Sequence, residues 1–144
     1  MASTRSLNFE SVQFTPGGGS AINIINVLSI DQTDGGSILA GRGDNNLYAT
    51  HKRYIAADPG FTITHQGRAA QNSISPGSKG TLTFIVKDAD NVAGTLATGD
   101  VTFSVANAII GSRSFTRAHN QYGQFTIPVE TWSSDGQTNP ISMA

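Results

Sequence analysis

The stretch Thr81-Leu-Thr-Phe-Ile-Val-Lys87 decides the fold class, because its apolar side chains recur at every second position. Leu82, Phe84 and Val86 alternate there with Thr81, Thr83, Ile85 and Lys87. Successive side chains of a β-strand point to opposite faces of the sheet, so this period of two predicts a strand with one face in a core.

The same alternation recurs on both sides of this strand. Residues 61–65, 101–106 and 125–130 repeat it, and Pro128 predicts that the last of these strands lies at an edge or carries a bulge. Residues 7–14 predict a first strand whose apolar phase shifts at a bulge near Glu10-Ser11, and a short return strand is expected around Ile38 and Leu39. The predicted fold is all-β, a sandwich or barrel of about seven or more mostly antiparallel strands. Only residues 68–73 leave room for a short helix.

Composition narrows the class of function. The 144 residues fit one domain, and they include no cysteine that could form a disulfide or a thiolate metal site. A net charge of −1 with 13% charged residues argues against a protein that grips duplex DNA. No apolar run reaches the length of a membrane helix, and the start Met-Ala-Ser-Thr-Arg lacks the apolar core of a signal peptide. We therefore expect no membrane partner and no Sec export.

Catalytic and metal sites are not predicted. His51, His65 and His119 lie far apart without the spacing of zinc ligands, and we expect them on the surface or at an interface. No serine stands in a nucleophile elbow, and the glycines at 17–19 lack the Lys-Ser/Thr of a phosphate-binding loop. The chain is expected to be no enzyme and to need no cofactor.

One apolar pattern and one polar pattern each leave two interpretations open. Residues 21–31 read as one strand that is apolar on both faces. Its second face is then covered either by another segment of this chain or by a neighbouring subunit. The other strands share an uncharged polar face that either meets solvent or lines a water-filled lumen. Its residues are Thr62, Thr64, Thr81, Thr83, Thr102, Ser104 and Thr126.

Residues 41–60 show no period of their own, which predicts a long loop. It is either a surface loop or an arm that contacts other subunits, since tyrosine and arginine are enriched at interfaces. The candidate interface residues are Arg42, Asp44, Asn45, Asn46, Tyr48, His51, Lys52, Arg53 and Tyr54.

The segment after Trp132 predicts a turn and a closing strand. Asp135-Gly136 is a strong turn signal, and Asn139-Pro140 breaks the chain again. A last short strand over 141–143 is expected to return to the sheet or to lie on a neighbour.

Four segments in order resemble the tail tube proteins of long-tailed bacteriophages and related phage-derived particles. They are Thr15-Pro-Gly-Gly-Gly, Leu28-Ser-Ile-Asp-Gln-Thr-Asp-Gly-Gly, Gly80-Thr-Leu-Thr-Phe-Ile-Val-Lys-Asp-Ala-Asp and Trp132-Ser-Ser-Asp-Gly-Gln-Thr-Asn-Pro-Ile. The resemblance implies a β-sandwich or barrel that forms rings, commonly hexameric, whose inner strands join around a channel that DNA traverses.

On this resemblance the chain would be a structural virion protein of the tail, assembled in the host cytoplasm and used in genome ejection. Its partners would be itself, other tail proteins at the tube ends and DNA in transit. The N-terminal arm 1–6 and the loop 41–60 would make the contacts between subunits or rings. The rival interpretations are another virion ring or decoration protein, and a carbohydrate-binding β-sandwich whose aromatic platform would include Trp132.

Overall fold

The computed structural model describes residues 4–5, 9–41, 43, 47–49, 51–55, 57–86, 90–91 and 101–144. These contain thirteen strands and one helix. The first strands are β1 (Thr4–Arg5), β2 (Phe9–Pro16), β3 (Ile22–Asn23), β4 (Val27–Thr33), β5 (Ser37–Gly41), β6 (His51–Ile55) and β7 (Gly60–His65). After the helix α1 (Arg68–Ser73) come β8 (Lys79–Val86), β9 (Asp90–Asn91), β10 (Val101–Ile110), β11 (Ser114–Thr116), β12 (Gln124–Thr131) and β13 (Ile141–Met143).

Nine of the strands form one antiparallel sheet, which confirms the predicted all-β class with one short helix. The order across this sheet is β3-β2-β8-β10-β12-β7-β4, with β11 beside β12 and β13 beside β10. The predicted alternation is borne out in β7 and β8, where Phe61, Ile63, Leu82 and Phe84 are buried. Two separate pairs, β1 with β9 and β5 with β6, lie outside the main sheet.

The sheet curls until strands that are not neighbours face each other across the core. The rings of Phe61 on β7 and Phe84 on β8 are 5.5 Å apart between centroids, although β10 and β12 separate their strands in the sheet. A flat sheet would hold them more than 10 Å apart, since neighbouring strands are about 4.8 Å apart. The inner face of this curl therefore forms a single apolar core.

A bent segment joins the two ends of the sheet order. Strands β3 and β4 lie at opposite ends of that order, but only residues 24–26 separate them in the chain. The Ile24 amide donates to Val12 O on β2 (2.9 Å), and the Gln66 amide donates to Asn26 O just beyond β7 (3.1 Å). The prediction of one continuous strand over 21–31 is therefore wrong. Asn26 at φ 54° turns the chain by a conformation that asparagine tolerates better than most residues.

The first strand carries the bulge that its apolar phase predicts. The register of β2 against β8 shifts between Glu10 and Gln13, and Ser11 has a φ of 53°. The shift keeps both Val12 and Phe14 in the core. Another register shift lies in β10 between Val105 and Ala108, and the alternation of residues 101–106 does not predict it.

Pro128 lies in the interior of the sheet, so of the two predicted alternatives, an edge strand or a bulge, the edge strand is wrong. Strand β12 pairs with β7 on one side and, on the other, with β11 and then β10. Pro128 O accepts a hydrogen bond from Gly111 N (2.8 Å), between the end of β10 and the start of β11. Because the nitrogen and carbonyl of one strand residue point to the same side, the missing N–H falls in this gap between partner strands.

Helix α1 closes one end of the core. It spans residues 68–73, where the sequence allowed a short helix. Ala70 and the following Ile74 are buried, and the Ile74 amide donates to Ala70 O (2.9 Å). The guanidinium of Arg113 donates to the carbonyl oxygens of Gln71 and Ile74, the latter at 2.6 Å. This arginine satisfies carbonyl groups that the last helical turn leaves without a partner.

The segment after Trp132 forms the predicted turn and closing strand. Asp135 Oδ1 accepts hydrogen bonds from the amides of Gln137 and Thr138, both at 2.8 Å, and Gly136 has a φ of 74°. Donors from Thr138, Gln137 and Ser133 hold the pKa of the Asp135 carboxyl well below its usual range. Strand β13 then pairs with β10 of the same chain, and Ile141 is buried.

Candidate assembly surfaces

Residues 41–60, expected to form a loop without regular structure, contain strand β6. It pairs with β5 in a two-stranded hairpin from Ser37↔Ile55 to Gly41↔His51. The expected return strand around Ile38 and Leu39 therefore exists, but its partner is β6, not the preceding β4. The pattern was missed because His51-Lys-Arg-Tyr-Ile55 does not alternate polar with apolar residues.

The hairpin exposes apolar side chains on both faces. Ile38 is 65% exposed and Leu39 60% exposed, and consecutive strand residues point to opposite faces. Tyr54, opposite Ile38, is half-exposed, and its hydroxyl donates to Gly35 O. An isolated two-stranded hairpin is marginally stable in water, so a surface that covers these side chains would stabilise it.

Five of the nine candidate interface residues lie in the described part of the chain. Tyr48, His51, Lys52 and Arg53 are exposed, as is Tyr54. The other four, Arg42, Asp44, Asn45 and Asn46, lie outside the described residues. Sequence reasoning overlooked Ile38 and Leu39 as surface residues. Two adjacent large apolar residues in one short strand were the available signal, because both cannot face the same core.

The seven candidate lumen residues all point away from the core, but they fall on two different outer faces. Thr81, Thr83, Thr102 and Ser104 lie on β8 and β10, where Thr83 is opposite Ser104. Thr62, Thr64 and Thr126 lie on β7 and β12, where Thr64 is opposite Thr126. Because Phe61 and Phe84 meet across the core, the outer faces of β7 and β8 point in opposite directions. One channel wall can use only one of the two groups.

The outer face of β4, β7 and β12 carries two acids. Asp31 is opposite Thr62, and Glu130 is opposite Gly60, so both share a face with the threonines of β7. Both acids are exposed. None of the described residues on this outer face is a lysine or an arginine. The opposite face carries Lys79 and Glu10, so the two faces differ in charge.

The bent segment and the start of β4 leave apolar side chains uncovered. Ile25 is 55% exposed and Leu28 48% exposed, whereas Ile24 is buried. The second apolar face predicted for residues 21–31 holds Ile25 and Val27. The described part of this chain covers it only in part, because Val27 packs against the core but Ile25 stays exposed.

His65 is buried, so the expectation of a surface or interface histidine is wrong for it. Its Nδ1 accepts a hydrogen bond from the Gly67 amide (3.0 Å), which places the proton of the neutral ring on Nε2. The side chain of Gln71 is the polar group that faces the ring. Among the described residues, however, neither His65 Nε2 nor Gln71 Oε1 has a partner in good hydrogen-bond geometry. Burial lowers the pKa of His65, and the interaction with Gln71 opposes this only in part.

This buried histidine predicts a pH-dependent stability. Because the pKa of His65 is lower in the folded chain, the unfolded chain takes up a proton first as the pH falls below 6.5. The free energy of unfolding should then decrease by up to about 1.4 kcal/mol per pH unit, until the folded-state pKa is reached. Urea unfolding at a series of pH values, compared between the wild type and His65→Phe, measures this slope. His119→Gln should keep the slope, and an equal slope in His65→Phe would refute this assignment.

The side chain of Trp132 is not a free aromatic platform. It is 39% exposed, and the Lys79 ammonium lies 5.6 Å from the centre of its ring. The neighbouring groove of about 460 Å³ is lined by the glycines at 17–19 and by Thr81. A sugar ring stacking on Trp132 from this side would first have to displace Lys79, which weakens the carbohydrate-binding alternative.

Two surfaces of opposite charge lie at the two ends of β12. The first, here called the acidic groove, has a volume of about 340 Å³. Asp34, Tyr54, Ala57, Pro59, Ser133 and residues 136–140 line it. It lies where β4 and β12 end and β7 begins, and Asp58 and Asp135 adjoin its lining residues in the chain.

The second surface, here called the cationic loop, is formed by residues 117–122 between β11 and β12. All six residues are exposed, and Tyr122 is 86% exposed. Beside it a cavity of about 420 Å³ is lined by Arg68, Arg117 and Tyr122, together with Phe115 and Phe125, whose ring centroids are 4.9 Å apart. The described residues that line this cavity include no acid.

The described residues show no group of three or more histidine or acidic side chains that could hold a metal ion. Their helical segment is too short to cross a membrane. A scan against protein-family models finds no match, and a search of curated proteins finds no significantly similar sequence.

Proposed function

We propose that this protein is a structural subunit that assembles into the tail tube of a long-tailed bacteriophage or a related phage-derived particle. The observation that carries the proposal is the hairpin of β5 and β6, which lies outside the main sheet with Ile38 and Leu39 exposed on opposite faces. Exposed apolar surface of this kind is typical of a contact with another protein. The ordered resemblance of four segments to tail tube proteins supports the same function.

The uncovered apolar residues of the bent segment and of β4 add a second contact. Leu28 lies on β4, whose edge opposite β7 has no partner strand among the described residues. Edge strands pair readily with a strand of another chain, and joining sheets between subunits removes such edges. A ring in which β4 meets a neighbouring subunit would cover both this edge and Leu28.

For the channel wall we favour the outer face of β4, β7 and β12. It presents Thr62, Thr64 and Thr126 with Asp31 and Glu130. Duplex DNA binds to clustered cations through its phosphates. The two carboxylates repel the phosphates, and the neutral hydroxyl groups do not attract them as clustered cations would, so DNA would pass without being held.

The hairpin can be removed with little disturbance of the sheet, because its two ends are already joined by a hydrogen bond. The Asp58 amide donates to Asp34 O (2.9 Å), and Gly35 and Gly36 have φ values of 63° and 76°. Deleting residues 37–57 leaves Asp34-Gly35-Gly36-Asp58, a two-residue loop of the kind that connects antiparallel strands. This variant should stay folded and monomeric under conditions in which the wild type forms rings and tubes.

Light scattering and negative-stain microscopy measure the assembly, and circular dichroism checks the fold. The double variant Ile38→Thr/Leu39→Thr keeps the chain length and should also impair assembly, while Met143→Thr, at another exposed apolar position, should not. Tubes formed by the deletion variant would remove the role given to the hairpin. A wild type that stays monomeric at high concentration would contradict the tail tube proposal, and rings that never stack would favour a terminator or decoration protein.

A further inference from the structure

The cationic loop and the acidic groove lie at opposite ends of the same strand. The loop ends just before Gln124, where β12 begins, and the groove is lined by residues that follow Thr131, where β12 ends. Eight strand residues extend over about 25 Å. The two surfaces therefore cannot meet within one copy of the chain, but they can meet between two copies that point in the same direction.

The two surfaces also complement each other in charge. All six residues of the loop are exposed, and the acidic groove is concave. Arg117 on the loop and the nearby Arg68 bring cations, and Asp34 in the groove and the adjacent Asp58 bring carboxylates. Tyr122 is a large and almost fully exposed aromatic side chain, of the type that anchors protein interfaces.

We infer that the cationic loop of one copy docks into the acidic groove of the next, with Tyr122 in the groove and Arg68 and Arg117 facing Asp34 and Asp58. This inference rests on the proposed function, since it takes a second copy of the chain as the partner. A contact between two different surfaces is head to tail, so it closes into a ring or continues along a stack according to the rotation between copies.

Two charge-reversed variants test the inference. Arg68→Glu/Arg117→Glu makes both surfaces acidic, and Asp34→Lys/Asp58→Lys makes both surfaces basic. Each variant alone should remain monomeric at about 0.1 M salt, where exposed charges still interact over roughly 10 Å. Mixed in equal amounts they should assemble in alternation, because every acidic loop then meets a basic groove and every basic loop an acidic groove.

The mixture also serves as the test of folding, because only folded copies can restore assembly. Asp34→Asn/Asp58→Asn, which keeps the side-chain shape, should raise the concentration needed for assembly about tenfold. Thr81→Lys/Thr102→Lys adds positive charge on the outer face of β8 and β10, away from the groove, the loop and β4, and should assemble like the wild type. Light scattering and microscopy report each outcome.

The results separate this inference from the proposed function. Normal assembly of either reversed variant alone, or no assembly of their mixture when both are folded, would overturn the loop-in-groove contact while the wild type still forms tubes. A wild type that forms no oligomer at any concentration would instead overturn the proposed function, and this contact with it.

Discussion

Replacing Phe84 with alanine is expected to lower the free energy of unfolding by about 4 kcal/mol. The side chain is 2% exposed and lies at the centre of a group of aromatic rings. Its ring centroid is 4.8 Å from that of Phe103, 5.5 Å from that of Phe61 and 6.3 Å from that of Phe9. Alanine would leave a cavity between four strands, which cannot all move inwards to fill it.

Urea unfolding followed by circular dichroism measures this loss. Thr83→Ala is the matched control, because the neighbouring residue on the same strand points outwards, and it should change stability by less than about 1 kcal/mol. Phe84→Leu should fall between the two. A loss for Phe84→Ala no larger than that of the control would show that the curl of the sheet does not depend on this aromatic contact.

Gly80→Ala is expected to cost about 3 kcal/mol, although it adds a single methyl group. A Cβ atom at this position would lie 2.1 Å from Thr15 O and 2.9 Å from Pro16 Cα. Both atoms belong to the backbone of β2, which is paired with β8 at this point. The clash therefore cannot be relieved by the movement of a side chain. The substitution should therefore force the end of β2 away from the sheet.

Gly17→Ala provides the control for this prediction. Its Cβ would lie 3.6 Å from Lys79 O, an ordinary van der Waals contact, at the same junction of β2 and β8. The control should leave the thermal midpoint nearly unchanged, whereas Gly80→Ala should lower it by about 10 °C or more. Equal thermal midpoints for the two variants would mean that β2 can move away from residue 80 without loss of stability.

The strands themselves could be predicted from the sequence because burial on one face leaves a period of two. This period is visible directly in Phe61-Thr-Ile-Thr-His65 and in Gly80-Thr-Leu-Thr-Phe84. The bulge in β2 could also be predicted, since an extra residue shifts the apolar phase. The position of Pro128 could not, because whether a strand is at an edge depends on partners that are distant in the sequence.

The candidate surfaces were predictable only in part, for a similar reason. The tyrosines and cations of residues 41–60 indicated a contact region, but the pairing of β5 with β6 depends on cross-strand contacts, such as Ile38 with Tyr54, that no local pattern reveals. The two groups of threonines looked alike because alternation gives the side of a strand but not the direction in which a curled sheet faces. His65 was misjudged although it continues the buried alternation of Phe61 and Ile63, because a histidine is polar and its spacing from the other histidines was considered instead.

The strand order of the sheet also has a consequence for the order of folding. The bent segment at residues 24–26 joins β3, which pairs with β2, to β4, which pairs with β7. Strand β7 in turn pairs with β12. The partners β7 and β12 are far apart in the chain, so their pairing closes a long loop and should be slow. While the chain is being synthesised, β7 has no partner on that side until Gln124–Thr131 has emerged. During this interval its open edge can pair with another chain, so newly made copies are most prone to aggregation before the sheet closes.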